Sequence, residues 1–151
     1  MATNRRYINK QQHATSCGPV AVLNALKWLG RKVSYREMFP FFEELGYDPD
    51  WGQTHWWFSR SLSAFKIKYK RFSNITVSDM ERELDRRNTI ILNYAWDPNN
   101  RHYFFITGHT DKKFTVWNQS RSTKKYFRKQ FRNGRRRDNG LDHPKMWVIY
   151  G

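Results

Sequence analysis

The order of the hydrophobic patterns along the chain constrains its fold more than any other feature. Helical spacing of apolar residues dominates up to Phe65, whereas apolar or alternating stretches typical of strands dominate from Thr89 onward. Helices that precede antiparallel strands indicate an α+β fold with the N-terminal helices packed on a C-terminal antiparallel sheet. The chain of 151 residues is long enough to bury a core, and no repeat or long linker divides it, so we expect one domain over residues 1–151.

Three helices are expected in the first half of the chain. The first begins near Cys17 with Pro19 in its first turn and ends at Gly30. A capping-box pattern, Ser34-Tyr35-Arg36-Glu37, starts the second helix, which Pro40 is expected to shorten or kink. The third helix is expected to begin after Thr54 and to end at Phe65.

The second half is expected to hold the sheet and one more helix. Alternation of charged and apolar residues over 66–72 predicts an edge strand, and Ser78 with Glu81 predicts a capping box that starts a helix ending at Arg87. Residues 89–96 are apolar on both faces and predict a central strand. Further strands are expected over residues 101–108, 113–118 and 145–150, with polar turn residues at 110–112.

Cys17 is the only cysteine, and it stands at the entrance of the first predicted helix. The unpaired N–H groups and the dipole at a helix N-terminus favour negative charge, so a thiol there ionises more readily than one in an apolar core. The alternative is a buried structural cysteine. The thiol is therefore a candidate nucleophile whose assignment depends on other residues.

His102 and Asn118 lie on two successive predicted strands, and each shares a strand face with apolar residues. Side chains alternate along a strand, so His102 lies on the face of Phe104, and Asn118 lies on the face of Val116. The two faces coincide only if paired positions sum to an even number, which requires a hairpin loop of odd length or a β-bulge. A plain two- or four-residue loop would place the two residues on opposite faces. The alternative is that each is a hydrogen-bonded structural residue.

A cysteine hydrolase gives these residues complementary roles. Cys17 would attack a carbonyl as the thiolate, and His102 would take the thiol proton and return it to the leaving group. Asn118 would hydrogen-bond the imidazole and fix its tautomer and orientation. The side-chain amide of Gln11 or Gln12, together with the Cys17 backbone N–H, would stabilise the oxyanion.

These residues resemble the papain-like cysteine peptidases, most closely the bacteriocin-processing, double-glycine peptidase group and its stand-alone relatives. The resemblance rests on Gln-x5-Cys-Gly-Pro at a helix start, a histidine at a strand start, and Asn or Asp sixteen residues later. Over roughly residues 5–120 it implies a papain-like fold with Cys17 as nucleophile, His102 as base, Asn118 as orienting residue and Gln11 as oxyanion donor, Gln12 being the alternative donor. The peptidase domains of the transporters usually carry Asp where this chain has Asn118.

The net charge of +15 is not explained by a peptidase site. Much of it falls in a single run: Arg121, Lys124, Lys125, Arg128, Lys129, Arg132, Arg135, Arg136 and Arg137. Tyr126, Phe127 and Phe131 interrupt this run, and cations that meet phosphates beside rings that stack on bases predict a nucleic-acid contact. The alternatives are a solvated basic loop or insertion over 121–140, or a docking segment for an acidic protein or substrate.

Composition and motifs exclude several other classes. The glycines form no phosphate-binding pattern and the histidines have no second cysteine or tight carboxylate spacing, so neither a cofactor nor a metal is expected. Without a signal segment or an apolar run near the roughly 18 residues that a membrane helix needs, we expect a cytoplasmic protein with no membrane contact.

Two interpretations remain. The first is a cysteine peptidase or related amide hydrolase acting on a protein or peptide. The second is a non-enzymatic, basic structural or nucleic-acid-associated protein on the same fold, for example a component of a virus or phage particle.

Overall fold

The computed structural model describes residues 17–45, 55–97, 100–117, 122–137 and 143–151. Within these ranges the helices and strands follow the order expected for an α+β fold, with one additional helix before the last strand. The helices are α1 (Cys17–Trp28), α2 (Tyr35–Glu44), α3 (His55–Ala64), α4 (Val77–Asp85) and α5 (Lys124–Arg136). The strands are β1 (Tyr69–Ser73), β2 (Thr89–Asp97), β3 (Asn100–His109), β4 (Phe114–Val116) and β5 (Lys145–Ile149).

The five strands form one antiparallel sheet in the order β1-β5-β2-β3-β4. The predicted edge strand is at the edge as β1, and β2 pairs on both sides, as its continuous apolar run requires. Every residue of β5 is buried, because this strand fits between β1 and β2. The sequence-predicted α+β fold is confirmed.

Helices cover both faces of the sheet. On one face, Val22 and Leu26 of α1 and Phe42 of α2 pack against Phe105 and Trp147, and α3 joins the same cluster. On the other face, α4 and α5 pack against the opposite side chains of β2, β3 and β5. Alternation along each strand therefore supplies two separate apolar cores, one for each helical layer.

The ends of α1 and α2 follow the predicted signals. Gly30 follows α1 with a φ of +85°, a conformation that suits a residue without a Cβ. The side chain of Ser34 accepts a hydrogen bond from the Glu37 N–H and caps α2. Pro40 lies inside α2, but the helix continues to Glu44, so the expected shortening at Pro40 is wrong.

The capping box predicted at Ser78 is wrong by two residues. α4 is capped by Thr76, whose side chain accepts from the Asp79 N–H at 3.2 Å while the Thr76 N–H donates to the Asp79 carboxylate at 2.8 Å. Starting the helix at Val77 lets this residue join Met80 in the buried face. The capping patterns that begin at Thr76 and at Ser78 overlap, and the first is used because it allows Val77 to be buried.

The basic segment 121–140 was expected to be a loop, but residues 124–136 form the helix α5. Thr123 caps the helix by accepting from the Tyr126 N–H. Phe127, Phe131 and Gly134 recur at helical spacing and are buried against the sheet. Burial of this narrow apolar stripe stabilises a helix, even though the many cations of the segment are typical of a loop.

Candidate active site

His102 lies near the start of β3, where it pairs across the sheet with Tyr94 of β2. Its half-buried ring lies 4.7 Å from the ring of Phe104, measured between centroids. Burial lowers the pKa of His102 from 6.5 to about 4, because removal from water disfavours the charged imidazolium. The imidazole is therefore neutral near pH 7, and its lowered pKa makes it a weaker base than an exposed histidine.

The backbone around His102 departs from a regular ladder. Ala95 pairs with Arg101 and Asp97 with Asn100, so the register between β2 and β3 shifts at this end of the sheet. Bulges of this kind occur beside active sites, where they change the direction of neighbouring side chains. The irregularity lies immediately next to the Tyr94–His102 pair.

Cys17 is the first residue of α1, which packs against β3. Its backbone therefore lies at the positive end of the helix dipole, as the sequence predicted. Tyr103 and Phe105 face α1, whereas alternation places His102 on the opposite face with Phe104 and Ile106. The side chain of Cys17 and the residues Gln11, Gln12 and Asn118 lie outside the described part of the chain.

The hairpin between β3 and β4 meets the register condition set by the sequence. Its turn is even, since His109 pairs with Phe114 and the Thr110 N–H donates to the Lys113 carbonyl. A bulge between Ile106 and Gly108 then changes the register, so that Ile106 pairs with Val116 and the paired positions sum to an even number. The bulge, and not the loop, supplies the even register between Ile106 and Val116.

Helix α5 covers the sheet face that carries His102. The hydroxyl groups of Tyr94 and Tyr126 are hydrogen-bonded at 2.8 Å, and Tyr94 also packs against Phe127. At the other end of the helix, the Arg137 guanidinium donates to the carbonyl of Ala95 at 3.2 Å. Sequence reasoning missed this support, because no local pattern connects β2 to residues more than thirty positions away.

The basic residues of α5 divide into buried and exposed groups, and Arg121 lies outside the described residues. Lys124 is 2% exposed, so the expectation that it contacts a polyanion is wrong. Phe127 and Phe131 are buried and the Tyr126 hydroxyl is bonded to Tyr94, so these rings belong to the core and cannot provide the expected stacking surface. The exposed cations are Lys125, Arg128, Lys129, Arg132 and Arg136.

Lys124 is held in a network that sequence reasoning also missed. Its ammonium donates to Glu81 and to Nδ1 of His109, each at 2.9 Å. Nδ1 accepts this bond, so the ring proton lies on Nε2 and is donated to Asp85 at 2.7 Å. The network joins α4, β3 and α5. Nowhere in the described ranges do three or more His, Cys, Asp or Glu side chains form a group that could hold a metal ion.

Two clefts in the described surface lie away from Cys17. One, of about 490 Å³, is lined by Lys27, Gly30 and Arg31 at the C-terminal end of α1. Lys27 is ten residues from Cys17, so the helical rise places this cleft about 15 Å from the start of α1. The other lies between α4 and α5.

Within the described part of the chain, no helix is long and apolar enough to span a bilayer.

Comparison with known proteins agrees with this architecture. The peptidase domain of Streptococcus ComA, described as a bi-functional ABC transporter involved in a quorum sensing pathway, superposes with a TM-score of 0.69 at 13% identity, covering 94% of this chain and 96% of that one. A structure described as a C39-like peptidase from Bacillus anthracis superposes with a TM-score of 0.63 at 8% identity, covering 91% and 90%. No curated protein sequence matches the chain.

A family model described as the Peptidase_C39 like family matches residues 3–137. This segment contains Cys17, His102 and Asn118 together with Gln11 and Gln12. The expected resemblance to bacteriocin-processing peptidases is confirmed by the family and by the shared fold. The chain belongs to the Peptidase_C39 like family of papain-like cysteine peptidases.

Proposed function

We propose that the chain cleaves peptide bonds with Cys17 as nucleophile, His102 as general base and Asn118 as the residue that orients the imidazole. The observation that carries this proposal is His102, a half-buried and neutral imidazole at a strand start beside a β-bulge. Cys17 supports it, because its backbone begins α1, where the helix dipole stabilises a thiolate. Both residues fall within the matched family segment.

In the proposed reaction, His102 takes the thiol proton and the Cys17 thiolate attacks the substrate carbonyl carbon. Because α1 packs on the sheet face opposite His102, this step requires the thiol to reach the imidazole around the end of the sheet, beside the bulge between β2 and β3. The resulting oxyanion accepts hydrogen bonds from the Cys17 backbone N–H and from the Gln11 side chain, with Gln12 as the alternative donor. His102 then protonates the leaving amine, which leaves a thioester on Cys17. Water attacks the thioester as His102 accepts its proton, and the acid product departs to restore the free thiol.

The hairpin register supports the role of Asn118. With Ile106 opposite Val116, a strand continuing by two more residues would bring residue 118 opposite Phe104. Phe104 and His102 share a face, so the amide oxygen of Asn118 would then be within reach of an imidazole N–H. An amide in this role fixes the tautomer without adding a negative charge.

Labelling with a thiol-reactive peptide electrophile tests the activated thiol. We expect wild type to be labelled about 10²- to 10⁴-fold faster than His102→Ala, which is the usual range for loss of a general base. His143→Ala is the matched control, since it also removes a histidine from the described part of the chain but lies just before β5. Equal labelling of all three proteins would leave only an accessible cysteine and would refute the proposal.

Cleavage itself is tested by comparing new peptide termini in a proteome treated with wild type or with Cys17→Ala. New termini that depend on Cys17 support hydrolysis. Conversion of side-chain amides to acids without new termini would instead assign a deamidase to the same residues. Asn118→Asp is expected to retain labelling, and Asn118→Ala to lose it, if this position orients His102.

A further inference from the structure

The exposed side of α5 carries five cations, Lys125, Arg128, Lys129, Arg132 and Arg136, which together form what we call the basic face. They recur at spacings of three and four residues, opposite the buried Phe127 and Phe131. The helical rise of 1.5 Å per residue spreads the basic face over about 16 Å. Folding of the segment as a helix thus arranges its cations in a continuous line.

No anion of the described structure neutralises the basic face. The helix itself contains no acidic residue, and none of the five cations takes part in an ion pair among the described residues. The four carboxylates of the adjacent α4 are bonded elsewhere: Asp79 to Thr76 and Arg82, Glu81 to Lys124, Glu83 to Arg86 and Asn88, and Asp85 to His109. Like charges at these helical spacings repel, so an external anion would relieve the repulsion.

A groove of about 320 Å³ runs beside the basic face, between α5 and the start of α4. Its lining includes Thr76, Ser78, Arg128 and Arg132. Arg135 also lines it and is fixed by hydrogen bonds to the Asn74 side chain and the Ile75 carbonyl. Guanidinium groups beside hydroxyl groups form a suitable seat for a phosphate oxygen.

We propose that the basic face binds the phosphodiester backbone of duplex nucleic acid without reading its sequence. Each strand of a duplex presents one phosphate for about every 3.4 Å of its axis, so a 16 Å line of cations spans about five phosphates of one strand. The buried rings of Phe127 and Phe131 exclude stacking on unpaired bases, which favours a duplex over a single strand. The line of three arginines and two lysines favours regularly spaced phosphates over the scattered carboxylates of an acidic protein.

The proposed surface is separate from the proposed catalytic residues. The basic face points away from the sheet, whereas His102 lies on the sheet face beneath α5, and α1, which begins with Cys17, packs on the opposite face. Cys17→Ala should therefore leave duplex binding unchanged, and loss of cations from the basic face should leave thiol labelling unchanged. Failure of one proposal is thus distinguishable from failure of the other.

Fluorescence anisotropy with labelled 20-base-pair DNA and RNA duplexes of two unrelated sequences tests the proposal. Five phosphate contacts predict that log K falls with log salt with a slope of about −4.5. Arg128→Gln/Arg132→Gln should lower the magnitude of the slope by about 2 and weaken binding about tenfold at 50 mM salt. The more tightly bound duplex identifies DNA or RNA as the source of the phosphates.

The matched control is Lys32→Gln/Arg36→Gln, which removes the same charge from exposed residues in the first turn of α2 and in the connection before it. It should change the slope by less than half as much. Equal effects of the two double variants, absence of duplex binding at 50 mM salt, or tighter binding of poly-glutamate than of duplex would each overturn the proposal. Unchanged melting temperatures verify folding, and Lys125→Gln/Lys129→Gln provides a second test at the same face.

Discussion

The buried imidazole of His102 should make the protein sensitive to acid. Its pKa is lowered from 6.5 to about 4 on folding, so the unfolded chain binds the proton more tightly than the folded chain. The free energy of unfolding is therefore highest well above pH 6.5, where both states are unprotonated, and it falls as the pH drops from 6.5 towards 4. Linkage between these two pKa values gives a loss of about 2 kcal/mol between pH 7 and pH 5.

Urea unfolding at pH 7 and pH 5 measures this loss. The background is Cys17→Ala, in which no thiolate can stabilise the imidazolium. Between the two pH values, Cys17→Ala should lose about 2 kcal/mol more stability than Cys17→Ala/His102→Gln, because glutamine does not titrate. Carboxylates and the other histidines are common to both proteins, so their contributions cancel. Equal losses would refute the conclusion that burial keeps His102 neutral.

The chain that retains Cys17 adds a second comparison. A thiolate beside His102 favours the charged imidazolium and opposes the effect of burial. We therefore expect the acid-dependent loss of stability attributable to His102 to shrink when Cys17 is present. An unchanged loss would show that the thiol and the imidazole do not interact, against the proposed catalytic pair.

Three further predictions concern packing and helix ends, and each is measured by urea unfolding. Phe127→Ala should destabilise the protein by about 3–5 kcal/mol by leaving a cavity between α5 and the sheet, whereas Phe41→Ala, at a side chain 52% exposed, should cost much less. Thr76→Ala should lower the free energy of unfolding by about 1 kcal/mol and Ser78→Ala by clearly less; a larger loss for Ser78→Ala would show that Ser78 caps the helix. Gly30→Ala should lower the free energy of unfolding by about 1 kcal/mol because of the positive φ at this position, although the added Cβ would meet no atom. An unchanged stability would contradict the left-handed conformation of Gly30.

Most of the fold could be predicted because the spacing of apolar residues along the chain indicates which side chains are buried. The run over residues 89–96 carries apolar side chains on both alternating faces, which is typical of a strand covered on both sides. Gly30 and Ser34 could be recognised because helix ends need particular backbone and side-chain chemistry. These signals depend on neighbours within four residues.

The errors arose where two local signals competed. In α5, seven cations surround Phe127 and Phe131 and made the segment look like a loop, although a spacing of four residues between buried rings is a helical signal. At α4, two overlapping capping patterns began at Thr76 and Ser78, and only packing of Val77 chose between them. Tertiary burial decided both cases.

The position of His102 on a strand could be predicted from the sequence, but its surroundings could not. The histidine and its strand followed from the sequence, but the bulge between Ile106 and Gly108 did not, since an alternating pattern does not show where one extra residue is accommodated. The hydrogen bond between Tyr94 and Tyr126 joins positions 32 residues apart, and only the path of the chain brings them together.

The position of β5 in the sheet determines the order in which the molecule can assemble. Among the described strands β1 pairs with β5 alone, so within this part of the chain residues 69–73 have no sheet partner until residues 145–149 have been synthesised. Trp147 and Ile149 also complete the core beneath α1. The helix that begins with the candidate nucleophile is thus anchored by a strand synthesised more than 110 residues after it, so a nascent chain carries its thiol before this core is complete. Pairing across some 80 residues also predicts slow folding, with rates limited by closure of this long loop.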